Sequence, residues 1–160
     1  MKKSELRDAI IRHLRDELSR QTTAATMARD EAISEESRAE SKWDTHSQEA
    51  AYLAEGQAKL ATEIGAGIEL YSALPLPDFD AAATIALGAI IELEETATRR
   101  RSWYFLGPRA GGAQLQYGGR EILVVTPQSP LGRQLLGRRL GDSVAAPGRG
   151  AKAQTIVNVA

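Results

Sequence analysis

The chain has no cysteine, so disulfides, thiol catalysis and cysteine-ligated zinc are all excluded. Its two histidines, His13 and His46, stand far apart and give no paired metal ligands. Aromatic residues are sparse, eight in 160, and they form no run on which nucleic-acid bases would stack. No apolar stretch approaches the roughly 18 to 20 residues that span a membrane. The opening residues, Met1-Lys2-Lys3-Ser4-Glu5, lack the apolar core of a secretory signal. Both features lead us to expect a cytoplasmic protein with no membrane contact. A dense basic surface is missing as well. The net charge of −1 hides a split: residues 1–77 carry ten basic and fourteen acidic side chains, whereas residues 78–160 carry ten basic and seven acidic. An acidic half joined to a mildly basic half is not the footprint of a duplex-binding protein.

Proline and glycine are also absent from Lys3 to about Ser41, so nothing there breaks a helix. Ile11, Leu14, Leu18, Gln21, Ala25, Ala28, Ala32 and Ala39 recur at alternating steps of three and four, interrupted at Glu35. That is the 3.5-residue period of a coiled-coil seam. A second seam follows through Ala50, Leu53, Gln57, Leu60, Ile64, Gly67, Tyr71 and Leu74. Between them lies Lys42-Trp43-Asp44-Thr45-His46-Ser47, where Thr45 or Ser47 is placed to cap the second helix, with Gln48 or Glu49 early in its first turn. Folding the chain back near residue 43 sets Ile11 opposite Leu74, Leu14 opposite Tyr71, Ala25 opposite Leu60 and Ala32 opposite Leu53. Small residues thus mostly oppose large ones. Each arm of roughly 35 residues is about 50 Å long at 1.5 Å per residue. The reading is an antiparallel helical hairpin over residues 1–75; a dimerising coiled coil or a plain spacer is the alternative.

Pro75-Leu76-Pro77-Asp78 ends the second helix. The remainder, 79–160, reads as a small β-rich domain. Strands are expected at Thr84–Leu93, Arg100–Leu106, Glu121–Thr126, after Gly141-Asp142 and at Ala153–Val159, with a short helix at Leu131–Leu136. The class is α+β, a sheet that buries one helix on a face.

Residues 129–144, SPLGRQLLGRRLGDSV, closely resemble the C-terminal signature of the bacterial transcript-cleavage factors GreA and GreB. In that family a Ser-Pro-hydrophobic-Gly/Ala helix precedes Leu-Gly-Lys/Arg-x-x-Gly-Asp and a strand. Gly88–Leu93 and Trp103–Gly107 sit where the family has its first two domain strands. The resemblance covers essentially the whole chain, in architecture more than in letters over the helical half. It implies an FKBP-like C-terminal domain that docks at the rim of RNA polymerase's secondary channel. It also implies a coiled-coil hairpin whose two tip acids help hold the polymerase's second Mg²⁺ and position the water that cleaves backtracked RNA. The polymerase remains the catalyst, the factor acts as a monomer with no cofactor of its own, and nascent RNA is met only indirectly. Carried onto this chain, the tip acids are Asp44 and Glu49, with Asp44 as the Mg²⁺ ligand and Glu49, or alternatively Glu40, as a displaced second one. The partner-binding residues are Trp43 at the tip and Ser129, Pro130, Leu131, Gly132, Arg138 and Arg139 in the signature.

The tip departs from the family's Asp-x-Ser-Glu-Asn-x-Glu-Tyr. Here the chain reads Asp44-Thr45-His46-Ser47-Gln48-Glu49-Ala50-Ala51-Tyr52, one residue longer from Asp to Tyr and with Gln48 in the place of an acid. A non-cleaving regulator or inhibitor at the same channel is therefore the competing expectation. Other residues carry plainer readings beside the functional ones. Asp44 is also a turn or capping residue, and Glu49 a first-turn acid that suits the helix dipole. Arg99-Arg100-Arg101 reads as a solvated strand end or as a contact for an acidic surface, and Leu135-Leu136 as core. A prolyl isomerase, the third possibility, needs an aromatic-lined pocket, for which this half offers Phe79, Trp103, Tyr104, Phe105 and Tyr117.

Overall fold

The computed structural model describes residues 2–36, 46–80, 82–145 and 153–160. The order of elements is α1 (Lys3–Glu36), α2 (His46–Ser72), β1 (Ile90–Glu95), β2 (Arg101–Leu106), β3 (Gln114–Tyr117), β4 (Arg120–Val125), α3 (Pro130–Leu135), β5 (Ser143–Ala145) and β6 (Ala153–Val159). A long N-terminal helix pair thus precedes a six-stranded, mostly antiparallel sheet. The chain divides into two compact units. One is Arg12–Glu69; the other combines Met1–Ile11 with Leu70–Ala160.

In the unit Arg12–Glu69, the burial of α1 follows its sequence period. Leu14 is buried and Leu18, Gln21, Ala25 and Ala28 are half-buried, while most residues between them are exposed. Thr22, Thr23 and Thr26 satisfy their hydroxyls within the helix, each donating to the carbonyl four residues back, at 2.9, 2.9 and 3.0 Å. On α2, Ile64 and Gly67 are buried and Gln57 and Ala61 half-buried. Leu53 and Leu60, expected in the seam, are instead 55% and 37% exposed. The covered stripe passes through residue 61 rather than 60. A helix of 3.6 residues per turn drifts away from a 3.5-residue seam in this way. Ser47 lies inside α2 and is not its cap; Thr45 and the fold-back near residue 43 lie outside the described residues.

In the other unit the strand order is β3-β4-β2-β1-β6-β5. All neighbours are antiparallel except β2 and β4, which run parallel from Trp103↔Ile122 to Leu106↔Val125. The β1–β6 register shifts between Glu92 and Leu93, leaving Val157 as an extra residue on β6. β1 begins at Ile90, not Thr84, because Gly88 takes φ +88 and a Cβ there would lie 2.8 Å from the Pro75 carbonyl. β3 was not among the expected strands; it forms the antiparallel partner of β4 across the Gly118-Gly119 turn.

Strand alternation sorts the apolar residues onto two faces. Ile91, Leu93, Leu106, Val125 and Ile156 join Leu131 and Leu135 of α3, Ile85 and Val144 in one core. On the opposite face Phe105 is fully buried and stacks on Tyr71 at the end of α2, ring centroids 6.4 Å apart. Leu6 and Ile10 at the start of α1 are fully buried within this same unit. The sheet unit therefore includes the ends of both long helices. Tyr117 ties down the start of α1: its hydroxyl lies 2.7 Å from Glu5 Oε2, 3.0 Å from the Lys2 carbonyl and 3.1 Å from the Lys2 amide nitrogen.

Candidate functional site

Two regions carry the residues singled out in the sequence: the stretch between α1 and α2 with the start of α2, and the α3 signature. Glu40, Trp43 and Asp44 lie outside the described residues, so Glu49 alone of the first set is placed. It sits exposed in the first turn of α2, where a carboxylate meets the positive end of the helix dipole. Tyr52, one turn on, is 75% exposed. Among the described residues no three acidic or histidine side chains converge as a metal site. One placed carboxylate does not make a Mg²⁺ site, which needs several oxygen ligands, so these residues fit such an ion only as a donor to a site completed elsewhere.

The signature is built for backbone reasons first. Thr126 begins a turn in which Ser129 donates its N–H (2.9 Å) and its hydroxyl (2.8 Å) to the Thr126 carbonyl. Ser129 then caps α3, its Oγ accepting the Gly132 N–H at 3.0 Å. Pro130 follows at a position where no N–H is needed. Gly132 passes so close to the turn that a Cβ would lie 1.9 Å from the Thr126 oxygen. Leu131 and Leu135 point into the core, 3% and 0% exposed.

Of the expected partner-binding residues in the turn, Leu131 and Gly132 are interior, Ser129 is half-buried and caps the helix, and Pro130 is exposed. The expectation for Leu135-Leu136 divides: Leu135 is core, Leu136 is 47% exposed.

After α3 the chain is pinned on both sides. The Gly137 N–H donates to the Ile85 carbonyl and the Ile85 N–H to the Arg138 carbonyl, both at 2.8 Å. Gly141 donates to Ile156 at 2.8 Å, and Asp142 Oδ2 accepts the Arg139 N–H at 3.0 Å. These bonds hold a loop that presents Arg138, Arg139 and Leu140 outward, all exposed. Gln134 plays a part that no sequence signal revealed. Its amide bonds both the N–H and the carbonyl of Ala145, at 2.9 and 3.2 Å, and so ties α3 to β5.

The other candidates have structural partners. Arg99 and Arg101 both reach Glu94, at 2.5 and 3.0 Å, and Arg101 also reaches Glu92 at 3.3 Å. The Arg99 hydrogen bond, with that of Arg101, holds the Glu94 carboxyl below its usual range. The aromatic residues do not line one pocket. Tyr104 packs on the α3 face, Phe105 lies under Tyr71 on the other, and Trp103 carries the Arg120 guanidinium 4.3 Å from its ring centre. That leaves nothing resembling the aromatic proline pocket of an isomerase among the described residues.

The class is thus an α+β chain in which a long helix pair precedes a six-stranded sheet carrying one short capped helix. No protein-family model and no curated protein matches the chain. Solved structures do. GreA factor homolog 1 (Gfh1) of Thermus thermophilus matches at 19% identity over 94% of both chains, TM-score 0.41. Gfh1 of Thermus aquaticus matches at 23% identity over 92% of both chains, TM-score 0.40. The prokaryotic transcription elongation factor GreA/GreB from Nitrosomonas europaea matches at 17% identity over 65% of this chain and 78% of its own, TM-score 0.39.

Proposed function

We propose that this chain is an accessory factor of bacterial RNA polymerase, acting at the secondary channel and stimulating cleavage of backtracked transcripts through acids at the turn of its helix pair. One observation carries the reading. A long helix pair and a sheet unit bearing Ser129-Pro130-Leu131-Gly132 and Gly137 to Asp142 occur in one chain, and those signature residues take up the helix cap, close approach and pinned loop described above. In this reading Asp44 and Glu49 lend carboxylates to a Mg²⁺ that the polymerase also holds, and a Mg²⁺ so placed would activate and orient the attacking water. The chain itself is no enzyme and needs no cofactor of its own. It works as a monomer in the cytoplasm, and meets nascent RNA only through the polymerase.

A second reading has its own support in Gln48. An amide oxygen ligates a cation without neutralising it, so an apex with one acid fewer favours occupying the channel without promoting cleavage. Stalled, backtracked elongation complexes test both. The first reading expects shortened RNA with the wild-type chain and at least about a tenfold slower reaction with Asp44→Ala or Glu49→Ala. The second expects polymerase binding with no shortening. A chain that does not bind polymerase defeats both.

A further inference from the structure

Ile85 makes backbone bonds to Gly137 and Arg138, both at 2.8 Å, and so brings Thr84 alongside the loop that follows α3. An open cavity of about 520 Å³ lies there, a volume within the range of small-ligand sites. Arg133 lines it from the last turn of α3, and Arg138 and Arg139 line it from the loop. All three arginines are exposed, and none has an ion pair among the described residues, whereas Arg99 and Arg101 both reach Glu94. Among the described residues of the lining, the one acid is Asp142, which already accepts the Arg139 N–H at 3.0 Å. The Gln134 amide is committed to Ala145. Leu136 is the one aliphatic side chain of that set, and it contains no aromatic ring.

We infer that this cavity is a binding site for a small oligophosphate, a free ligand carrying two or three linked phosphates. Three guanidinium groups gathered on one concave surface repel one another, and an anion seated among them relieves that repulsion. A phosphate chain carries negative charge on every link, so one short ligand answers several arginines at once. Guanidinium meets phosphate oxygens through paired N–H donors, and the Thr84 hydroxyl adds a neutral donor. Recognition falls on the phosphates rather than on a base, because no ring of the lining described above is placed to stack on one. The bonds of Ile85 and Asp142 fix the backbone beneath the arginines before a ligand arrives, so binding orders side chains and not the loop. The inference concerns a free ligand and holds whether or not the chain meets RNA polymerase.

Titration calorimetry on the full-length chain tests this, with sodium tripolyphosphate, ATP and AMP in magnesium-free buffer. The inference expects one tripolyphosphate per chain with a dissociation constant below about 1 mM, weakening as salt rises. AMP should bind at least about tenfold more weakly than ATP, because it lacks the phosphate chain. ATP equal to tripolyphosphate makes the bare phosphate chain the ligand, and ATP tighter than tripolyphosphate makes it a nucleotide; either result supports the site. R133Q and R138Q, each checked by its thermal melt, should bind tripolyphosphate about tenfold or more weakly than wild type. R100Q, which removes an exposed arginine between β1 and β2, should bind it as wild type does. If one of the two cavity variants melts early, the other decides. No saturable binding by wild type up to that limit, AMP equal to ATP, unchanged binding in the cavity variants, or an equal loss in R100Q overturns the inference. Each of those results leaves the proposed function standing, since that is read on polymerase complexes.

Discussion

Single residues in the α3 signature act through distances too short to relax. Gly132→Ala would drive a methyl into the Thr126 carbonyl, 1.9 Å from where the new Cβ must sit. We expect a loss of at least about 2 kcal/mol in urea denaturation, because the obstacle is backbone rather than a mobile side chain. Ser129→Ala removes the cap and should cost about 1 kcal/mol in the same measurement. Tyr71, at the end of α2, is a single residue of another kind. Burial pushes its hydroxyl's pKa well above 10, and it donates to the Arg109 carbonyl at 2.7 Å. The folded state thus holds the neutral phenol more firmly than the unfolded chain does. The stability it contributes is complete below pH about 10 and is lost as pH rises from there toward the folded-state value. Tyr71→Phe should cost about 1 to 2 kcal/mol at neutral pH and flatten the loss of stability in alkali. A pH titration of the melting temperature, with an equally steep alkaline fall in both proteins, would refute that assignment.

Elements were legible in proportion to their length. The period of α1 in sequence reappears as burial at Leu14, Leu18, Gln21, Ala25 and Ala28. Over that stretch a helix needs only a repeating stripe to declare itself. The stripe on α2 was misplaced near Leu53 and Leu60, because letters fix a period but not how far a real helix has rotated away from it. The consequence is measurable. Ile64→Ala, at a site 6% exposed, should cost about 2 to 4 kcal/mol, whereas Leu53→Ala should cost under about 1 kcal/mol. β3 escaped notice because Gln114-Leu115-Gln116-Tyr117 is only four residues long and acquires its meaning from pairing with β4. The apolar run at Thr84–Ala89 looked like strand; Ile85 is buried there as a loop residue, bonded to Gly137 and Arg138. A run of apolar letters records burial and does not say which backbone achieves it.

At the scale of the molecule, the β-rich half expected over 79–160 is not a compact unit by itself in the structure. The unit that contains it is Met1–Ile11 with Leu70–Ala160, in which Leu6, Ile10 and Tyr71 are fully buried. A fragment of residues 79–160 would uncover Phe105 and lose the Tyr117 contacts to Lys2 and Glu5. We expect it to melt at a markedly lower temperature than the whole chain or to aggregate; equal melting would show that the helix ends are dispensable.

The candidate site divides along the same line. The letters 129–144 located the signature, and the count of charges in residues 1–77 against 78–160 located the asymmetry, because both are read directly along the chain. They did not tell which signature residues face solvent. Ser-Pro-Leu-Gly reads as a surface motif, yet three of its four residues serve the cap and the core, while Leu136 and Leu140 stand outside. Sequence by itself determined the periods, the breakers and the order of helix pair and sheet, each set by the chemistry of near neighbours. Tertiary structure decided which side of each element is covered, that β2 and β4 run parallel, and that the helix ends belong with the sheet. Those outcomes depend on contacts between residues tens of positions apart, whose geometry no local pattern encodes.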